Sequence, residues 1–226
     1  MVVTIDNVLT RQELTAIRAA LKSAKWSQGI SAGTQAAKAK KNQQLGEDCP
    51  ELPELRTIVM RALNRSERLI TAALPFKILP PNFNRYTGDT NHYGSHTDST
   101  LRPLPDGSYL RTDVSATLFL SDPAEYQGGE LAIEDTYGEQ EIKLAAGSLV
   151  VYPSGSIHQV KPVRSGERLG CYMFMQSLVK DTESRRHLFE MDMALINLRS
   201  RYGEDDPDLV RLTGQYNNLV RRWSEC

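Results

Sequence analysis

Two stretches in the first third of the chain carry apolar residues at helical spacing. Thr10 and Glu13 have the spacing of a capping box, which predicts a first helix that runs up to Trp26. A second helix is predicted over 53–74 and should stop there, because a proline follows. The apolar positions that define the two helix faces are Leu14, Ile17 and Leu21 in the first, and Leu55, Val59, Leu63, Leu69 and Ile70 in the second.

The segment 28–48 between these helices is small and polar, and Cys49-Pro50 follows it. This composition is typical of a surface loop. It also suits a flap that closes over a binding site, for which we consider residues 29–48. The pattern alone does not decide between the two.

From 76 to 179 the pattern changes to short apolar or alternating runs separated by glycine and proline. Such runs are typical of β strands. They lie at 76–79, 114–120, 130–134, 141–144, 148–152 and 170–175. Many short strands at this spacing predict a sandwich, a barrel or a jelly roll.

After residue 180 the helical period returns. One helix is predicted over 181–202. Asp206-Pro207-Asp208 then has the composition of a helix start, with an N-cap aspartate followed by proline, and predicts a last helix over 209–223. We therefore expect an α+β protein with a domain over 1–179, whose β core spans about 76–179, and a small helical unit over 180–226.

Composition and charge exclude some classes of function. The 226 residues include 27 basic and 28 acidic ones, and a net charge of −1 gives no reason to expect nucleic acid or an anionic membrane as a partner. Cys49, Cys171 and Cys226 lie far apart with no CxxC spacing, which favours a reducing compartment. The amino-terminal residues do not resemble a secretory signal, and no apolar run is long enough for a membrane helix. We expect a cytoplasmic protein.

The chemistry-bearing residues begin in the stretch HYGSHTDST, residues 92–100. His96 and Asp98 are two residues apart, so on a strand both point to the same side and could bind one cation. His158, at the start of a later strand, is the candidate third ligand. Two histidines and one carboxylate that leave other coordination positions open are the arrangement of non-haem Fe(II) oxygenases.

Arg168 lies ten residues after His158. A hairpin with its turn near Ser165-Gly166 would bring Arg168 back toward the His158 end of the barrel. There its guanidinium could hold a carboxylate with two hydrogen bonds. An exposed arginine on an edge strand is the alternative.

With these residues assembled, the chain resembles the 2-oxoglutarate- and Fe(II)-dependent dioxygenases of the prolyl-hydroxylase type, and more closely the bacterial PKHD-type hydroxylases. The resemblance covers nearly the whole chain and implies a double-stranded β-helix (jelly roll) flanked by N-terminal helices. It is carried by Asn84-Arg-Tyr86, Gly88, Tyr93, His96-Thr-Asp98, Gly128-Gly-Glu-Leu131, Pro153 to His158, Arg168, and the flanking Ala32-Gly33-Thr-Gln-Ala36 and Lys41-Asn42-Gln-Gln44.

The resemblance implies that His96, Asp98 and His158 hold Fe(II) and that Arg168 binds the distal carboxylate of 2-oxoglutarate. Tyr86 matches a tyrosine that hydrogen-bonds this cosubstrate in the family, although a core aromatic residue is an equal alternative. Tyr93 is a weaker match. In animal prolyl hydroxylases of this type, a second hydroxyl group often reaches the distal carboxylate from the strand that here ends in Phe119. Phe119 cannot donate, and Thr117 is a candidate replacement.

Several other polar residues are not expected to bind metal. His92 would block an open coordination position, and His187 lies in a helical segment beside Arg185 and Arg186, where an amphipathic surface is the default. Lys38, Lys40 and Lys41 form a basic run that is usually solvated. The resemblance favours a role for Lys41, Asn42 and Gln44 in a flap.

Three functions remain open. The first is a dioxygenase that couples conversion of 2-oxoglutarate to succinate and CO2 with hydroxylation of an unactivated C–H bond, with ascorbate as an optional reductant. Its substrate would be an amino-acid, peptidyl or siderophore-like molecule, and dioxygen is consumed. The second is a zinc hydrolase with the same ligands, and the third is a non-catalytic jelly-roll module that binds a metal or ligand. The terminal helices could also serve a homo-oligomer.

Overall fold

The computed structural model describes residues 1–29, 39–104, 106–136 and 138–225. Its helices are α1 (Arg11–Ser23), α2 (Leu52–Asn64), α3 (Glu67–Ala73), α4 (Thr182–Tyr202) and α5 (Pro207–Trp223). Its strands are β1 (Val3–Ile5), β2 (Trp26–Gln28), β3 (Lys40–Lys41), β4 (Gln43–Leu45), β5 (Pro75–Ile78), β6 (Asn82–Tyr86), β7 (His92–His96), β8 (Leu101–Pro103), β9 (Tyr109–Arg111), β10 (Val114–Phe119), β11 (Tyr126–Gly128), β12 (Leu131–Asp135), β13 (Gly138–Ile142), β14 (Leu149–Pro153), β15 (His158–Val160), β16 (Val163–Gly166) and β17 (Arg168–Ser177). Among these helices, none is long and apolar enough to cross a membrane.

Two antiparallel sheets form the core. Within the described residues, the larger sheet has the order β1-β14-β10-β17-β6-β4-β2, with β5 also paired to β17, and the smaller has the order β13-β12-β15-β7-β3. Along the chain, β6, β10, β14 and β17 enter the larger sheet while β7, β12 and β15 enter the smaller one. This alternation between two facing sheets is the jelly roll, so the predicted fold class is confirmed.

The two faces of the larger sheet contact different partners because side chains alternate along a strand. On β10, Val114, Ala116 and Leu118 pack with α1, α2 and α3 in the main apolar core. Phe119 instead packs between the sheets, together with Tyr86, Ile133, Tyr152 and Val160. The interior between the sheets is therefore the place where functional side chains can be held.

The amino-terminal helices differ from the prediction at their ends. The capping box of Thr10 and Glu13 is present, but α1 ends at Ser23, and Trp26 begins β2. The single helix predicted over 53–74 is two helices, because the chain leaves the helical conformation at Ser66. The predicted stop is confirmed: Leu74, with φ of 42°, ends α3 directly before Pro75.

The polar segment 28–48 was predicted to be a surface loop or a flap, but its described part contains strands. Residues 30–38, including Lys38 and Ala32 to Ala36, lie outside the described residues. The described remainder contains β3, which pairs with β7, and β4, which pairs with β2 and β6. These strands are fixed by backbone pairing at the edges of the two sheets and not by an alternating apolar pattern, so the sequence pattern did not indicate them.

The predicted hairpin before Arg168 is wrong. The strand β16 pairs with β11, whereas β17 pairs with β10, β6 and β5. Gly166 has a φ of 79° and ends β16, and there the chain turns from the two-stranded β11-β16 sheet into the larger sheet. Arg168 reaches the interior as the first residue of that next strand.

Aspartates cap both C-terminal helices, and the cap at Asp206 was predicted. Asp181 accepts a hydrogen bond from the backbone of Ser184, and Asp206 accepts from Asp208 and Leu209. Both helices pack on the end of the core: Leu74, Val179 and Leu188 form a cluster to which α5 adds Tyr216, Leu219, Val220 and Trp223.

Arg185 departs from the amphipathic surface expected around His187. It is buried, and its guanidinium donates to the carbonyl oxygens of Val179 and Lys180 at 2.6 and 2.7 Å. His187 itself is exposed.

Candidate active site

Three residues predicted to bind metal come together between the sheets. His96 is the last residue of β7, Asp98 follows two residues later, and His158 is the first residue of β15. The two histidines are register partners in the smaller sheet. One nitrogen or oxygen of each residue lies within 4.8 Å of the others, so the group could hold a metal ion.

Hydrogen bonds orient each of these side chains. Nδ1 of His96 lies 2.8 Å from the carbonyl oxygen of Gly94, and Nδ1 of His158 lies 2.9 Å from that of Ser156. Because the carbonyls can only accept, each Nδ1 carries the proton and each Nε2 is left with its lone pair. The Nε2 atoms lie 4.0 Å (His96) and 3.5 Å (His158) from the carboxylate oxygens of Asp98.

The Asp98 carboxylate is held in turn by two serines. Ser115 donates from its hydroxyl to Oδ2 of Asp98 at 2.6 Å, and Ser154 lies 2.7 Å from the Ser115 hydroxyl. The backbone N–H of Asp98 also donates to the carbonyl of Ser154. A ligand with such support keeps its orientation, and supporting groups of this kind strengthen metal binding.

The electrostatics around His96 favour the neutral imidazole that a metal requires. Burial and the neighbouring His158 lower the pKa of His96 to about 4. At neutral pH this ring is therefore uncharged, and no proton must leave before a cation binds.

Arg168 lies in the same interior and is 1% exposed. Its guanidinium carbon lies 5.2 Å from the ring centre of Tyr86 and 5.2 Å from that of Phe119. All three guanidinium nitrogens lack a hydrogen-bond partner among the described residues. A buried charge without a partner is costly, so the arrangement calls for an anionic ligand.

One pocket joins Arg168 to the His-Asp-His group. Gly170 keeps the pocket open, since a Cβ atom there would lie 2.8 Å from Oδ1 of Asn84 and 3.3 Å from Nη1 of Arg168. Oδ1 of Asn84, which lines the pocket, is buried and lacks a hydrogen-bond partner among the described residues, so a further acceptor is available to a ligand at this end.

The tyrosines predicted for the site also lie in the pocket. Tyr86 is the register partner of Arg168 and is buried, which raises the pKa of its hydroxyl and keeps it protonated. Tyr93 stacks on the ring of His96 with 3.6 Å between ring centres. Phe119 faces the guanidinium with its ring, and Thr117 lines the pocket two residues away on the same face.

Three further residues near the site are His92, Lys40 and Ser115. Nδ1 of His92 lies 2.9 Å from the Asn91 side chain, and His92 is not part of the metal-binding group. Lys40, which was expected to be solvated, is buried and lines the pocket. Ser115 was missed, although its alternation with the apolar residues of β10 could have indicated that it faces the interior.

Comparison with known proteins agrees with this geometry. A family model described as the 2OG-Fe(II) oxygenase superfamily matches residues 81–176, and one described as the PKHD-type hydroxylase C-terminal domain matches 182–225. A PKHD-type hydroxylase of Nitrosomonas europaea is 58% identical over the full length of both chains. The chain belongs to the PKHD-type hydroxylase family. Another member, from an Azoarcus species, is 54% identical over the full length of both chains.

Solved structures support the fold. A prolyl hydroxylase from Trichoplax adhaerens, solved with a peptide fragment of hypoxia-inducible factor, is 18% identical with a TM-score of 0.55, over 83% of this chain and 86% of that one. Family membership decides among the three functions left open above. The chain is an Fe(II)- and 2-oxoglutarate-dependent dioxygenase.

Proposed function

We propose that the enzyme hydroxylates an unactivated C–H bond at the pocket between the two sheets, with His96, Asp98 and His158 as the iron ligands. Support comes from the orientation of the ligand atoms: backbone carbonyls direct both Nε2 atoms toward the Asp98 carboxylate. Two histidines and one carboxylate suit Fe(II) with positions left open for cosubstrate and dioxygen. When bound, iron and 2-oxoglutarate supply the activation of dioxygen and the oxidising power, with release of succinate and CO2.

The protein binds and orients the cosubstrate. Arg168 holds the distal carboxylate of 2-oxoglutarate, and Tyr86 donates its hydroxyl hydrogen to the cosubstrate. Phe119 and the Tyr86 ring flank the guanidinium and exclude water from it, which strengthens the ion pair. The Tyr126 hydroxyl, which lies beside Arg168, is the candidate for the second hydroxyl donor that Phe119 cannot provide.

The observation that carries this proposal is the buried, unpartnered Arg168 guanidinium in the same pocket as the His-Asp-His group. At 1% exposure the Arg168 side chain is removed from solvent. A methionine or leucine at this position would carry a smaller desolvation penalty. An anionic ligand bound to the guanidinium would complete the site and explain a buried arginine at this position.

Calorimetric titration of 2-oxoglutarate into Ni(II)-loaded protein tests the assignment. We expect Arg168→Gln to weaken binding by about 2–5 kcal/mol, because a buried ion pair loses one partner. Arg164→Gln is the matched control, since Arg164 is exposed on the preceding strand. Equal affinity of wild-type protein and Arg168→Gln would remove Arg168 from the cosubstrate site.

The proposal extends to substrate class and domain organisation. The substrate is an amino-acid, peptidyl or siderophore-like molecule, and the prolyl-hydroxylase likeness of the fold supports an amino-acid or peptidyl one. Residues 1–179 form the dioxygenase domain and 180–226 the helical unit, supported by the separate family matches at 81–176 and 182–225.

A further inference from the structure

The end of the pocket away from Arg168 is also basic. Arg168, Tyr172 and Phe174 lie on one strand with the same face parity, and Phe174 is six residues beyond Arg168. At about 3.3 Å per residue, roughly 20 Å of backbone separates them. Arg102, on β8, lies over Phe174, with 4.3 Å between its guanidinium carbon and the ring centre. It therefore serves a different part of the pocket from Arg168.

Lys40 joins Arg102 at this outer end. Its ammonium lies 5.3 Å from the ring centre of Tyr93 and 5.9 Å from that of Tyr172. Burial and the nearby Arg102 lower the pKa of Lys40 to about 8, while Asp98 opposes this. An anion that binds between these two cations would reduce their electrostatic repulsion in this partly buried site.

The charge balance of the pocket favours such an anion. Asp98 is the one acidic side chain among the described residues that line it, against three basic ones, Lys40, Arg102 and Arg168. The charges of Fe(II), the doubly charged 2-oxoglutarate, Asp98 and Arg168 would sum to zero. Among the described lining residues, the positive charges of Lys40 and Arg102 then remain at the outer end.

Arg102 also has an unused donor. Its Nε is buried and lacks a hydrogen-bond partner among the described residues. The planar guanidinium is suited to holding a carboxylate with parallel hydrogen bonds. The rings of Tyr93, Tyr172 and Phe174 form apolar walls next to it. These rings can contact a hydrocarbon portion placed between the carboxylate and the His-Asp-His group.

We propose that Arg102 and Lys40 bind a carboxylate of the substrate, so that the enzyme hydroxylates a carboxylic acid whose apolar part lies between the aromatic rings and the metal site. This inference rests on the proposed function, because it assumes that 2-oxoglutarate occupies the Arg168 end.

Matched acid and amide probes test the proposal in full-length protein loaded with Ni(II) and saturating 2-oxoglutarate. The probes are benzoate against benzamide and N-acetylglycine against N-acetylglycinamide, with dissociation constants from ligand-observed NMR. We expect each acid to bind about tenfold more tightly than its amide, as for a carboxylate paired with a partly buried arginine. Arg102→Gln and Lys40→Met should each remove most of this preference. Lys22→Met should leave it unchanged, because Lys22 is exposed on α1 and does not line the pocket.

The affinity for 2-oxoglutarate is measured in the same samples and separates the two claims. Three results overturn this inference alone when 2-oxoglutarate binds normally. They are equal affinity for acids and amides, no binding of either acid, and a preference for acids that survives Arg102→Gln. Displacement of 2-oxoglutarate by the acids also overturns it, since they would then occupy the Arg168 end. Failure of the wild-type protein to bind 2-oxoglutarate overturns the proposed function together with this inference.

Discussion

Single hydrogen bonds orient the three candidate metal ligands of this active site. His96 and His158 each bond a carbonyl two residues earlier in the chain, so the local backbone sets the direction of each ring. Asp98 has no such local partner for its carboxylate. It depends on Ser115, which lies on the opposite sheet and fixes the position of Oδ2.

Ser115→Ala tests this dependence. We expect the affinity for Ni(II) to fall about tenfold, the lower end of the effect of losing a group that supports a ligand. Competition against a fluorescent chelator measures it. Ser165→Ala is the control at an exposed position, and the proposed support of Asp98 is refuted if both variants bind metal as the wild type does.

Sequence patterns predicted the convergence of the three candidate ligands better than they predicted the residues around them. The two-residue spacing of His96 and Asp98 implies a shared side of the chain, and these atoms do converge with His158. The burial of Lys40 could not be derived in this way, because it follows from pairing of a two-residue strand with β7 and from the aromatic rings of distant strands. Polar residues take their environment from tertiary contacts, which local composition does not encode.

Among the elements, the first helix is tied to the second by an ion pair at its cap. Glu13, which completes the capping box of α1, also accepts from the guanidinium of Arg65 at the end of α2. Arg65 donates to the carbonyl of Val8 as well. The hydrogen bond from Arg65, with burial opposing it, lowers the pKa of Glu13 from 4.5 to about 2.

A lowered pKa in the folded state means that this pair stabilises the protein above pH 4.5 and that the stabilisation is lost as the pH falls toward about 2. We expect Glu13→Gln to reduce the free energy of unfolding by about 1 kcal/mol at pH 7, since Arg65 is partly exposed. Urea unfolding at a series of pH values should show the difference shrinking below pH 5. Glu204→Gln, at an exposed position, should have no effect; a deficit in Glu13→Gln that stays constant into acid would contradict the pair.

Element prediction succeeded where one face of the element is apolar. Strand β10 was predicted to within one residue, because its alternate positions pack on the helices. The short strands β3 and β4 and the corner at Gly166 were missed or wrongly assigned, since they are determined by pairing between residues far apart in the chain. The break at Ser66 was also missed, because apolar spacing continues across it.

At the scale of the whole molecule, the helical unit is anchored to the core by polar contacts as well as by apolar packing. Arg185 bonds the carbonyls that follow β17, Thr71 of α3 donates to Asp192 of α4, and the backbone of Glu225 donates to Leu178. These contacts lie outside the pocket, so they bear on stability and not on cosubstrate binding.

Arg185→Met should therefore lower the free energy of unfolding by about 2–4 kcal/mol, because two carbonyl groups lose a buried charged donor. The affinity of the folded protein for 2-oxoglutarate should not change. Arg186→Met is the neighbouring control, whose ion pairs with Glu183 and Glu190 are exposed and contribute little. Equal loss of stability in the two variants, measured by urea unfolding, would show that Arg185 is not an anchor.

The central claim is that His96, Asp98 and His158 hold an iron that 2-oxoglutarate chelates. The measurement that tests it most directly is an anaerobic titration of the protein with Fe(II) and 2-oxoglutarate, followed by visible absorption. We predict a charge-transfer band that saturates at one equivalent of iron in the wild type and is absent in His158→Ala, while circular dichroism shows that the variant is folded. A wild-type protein that binds iron without developing the band, or a His158→Ala variant that retains it, would contradict the account.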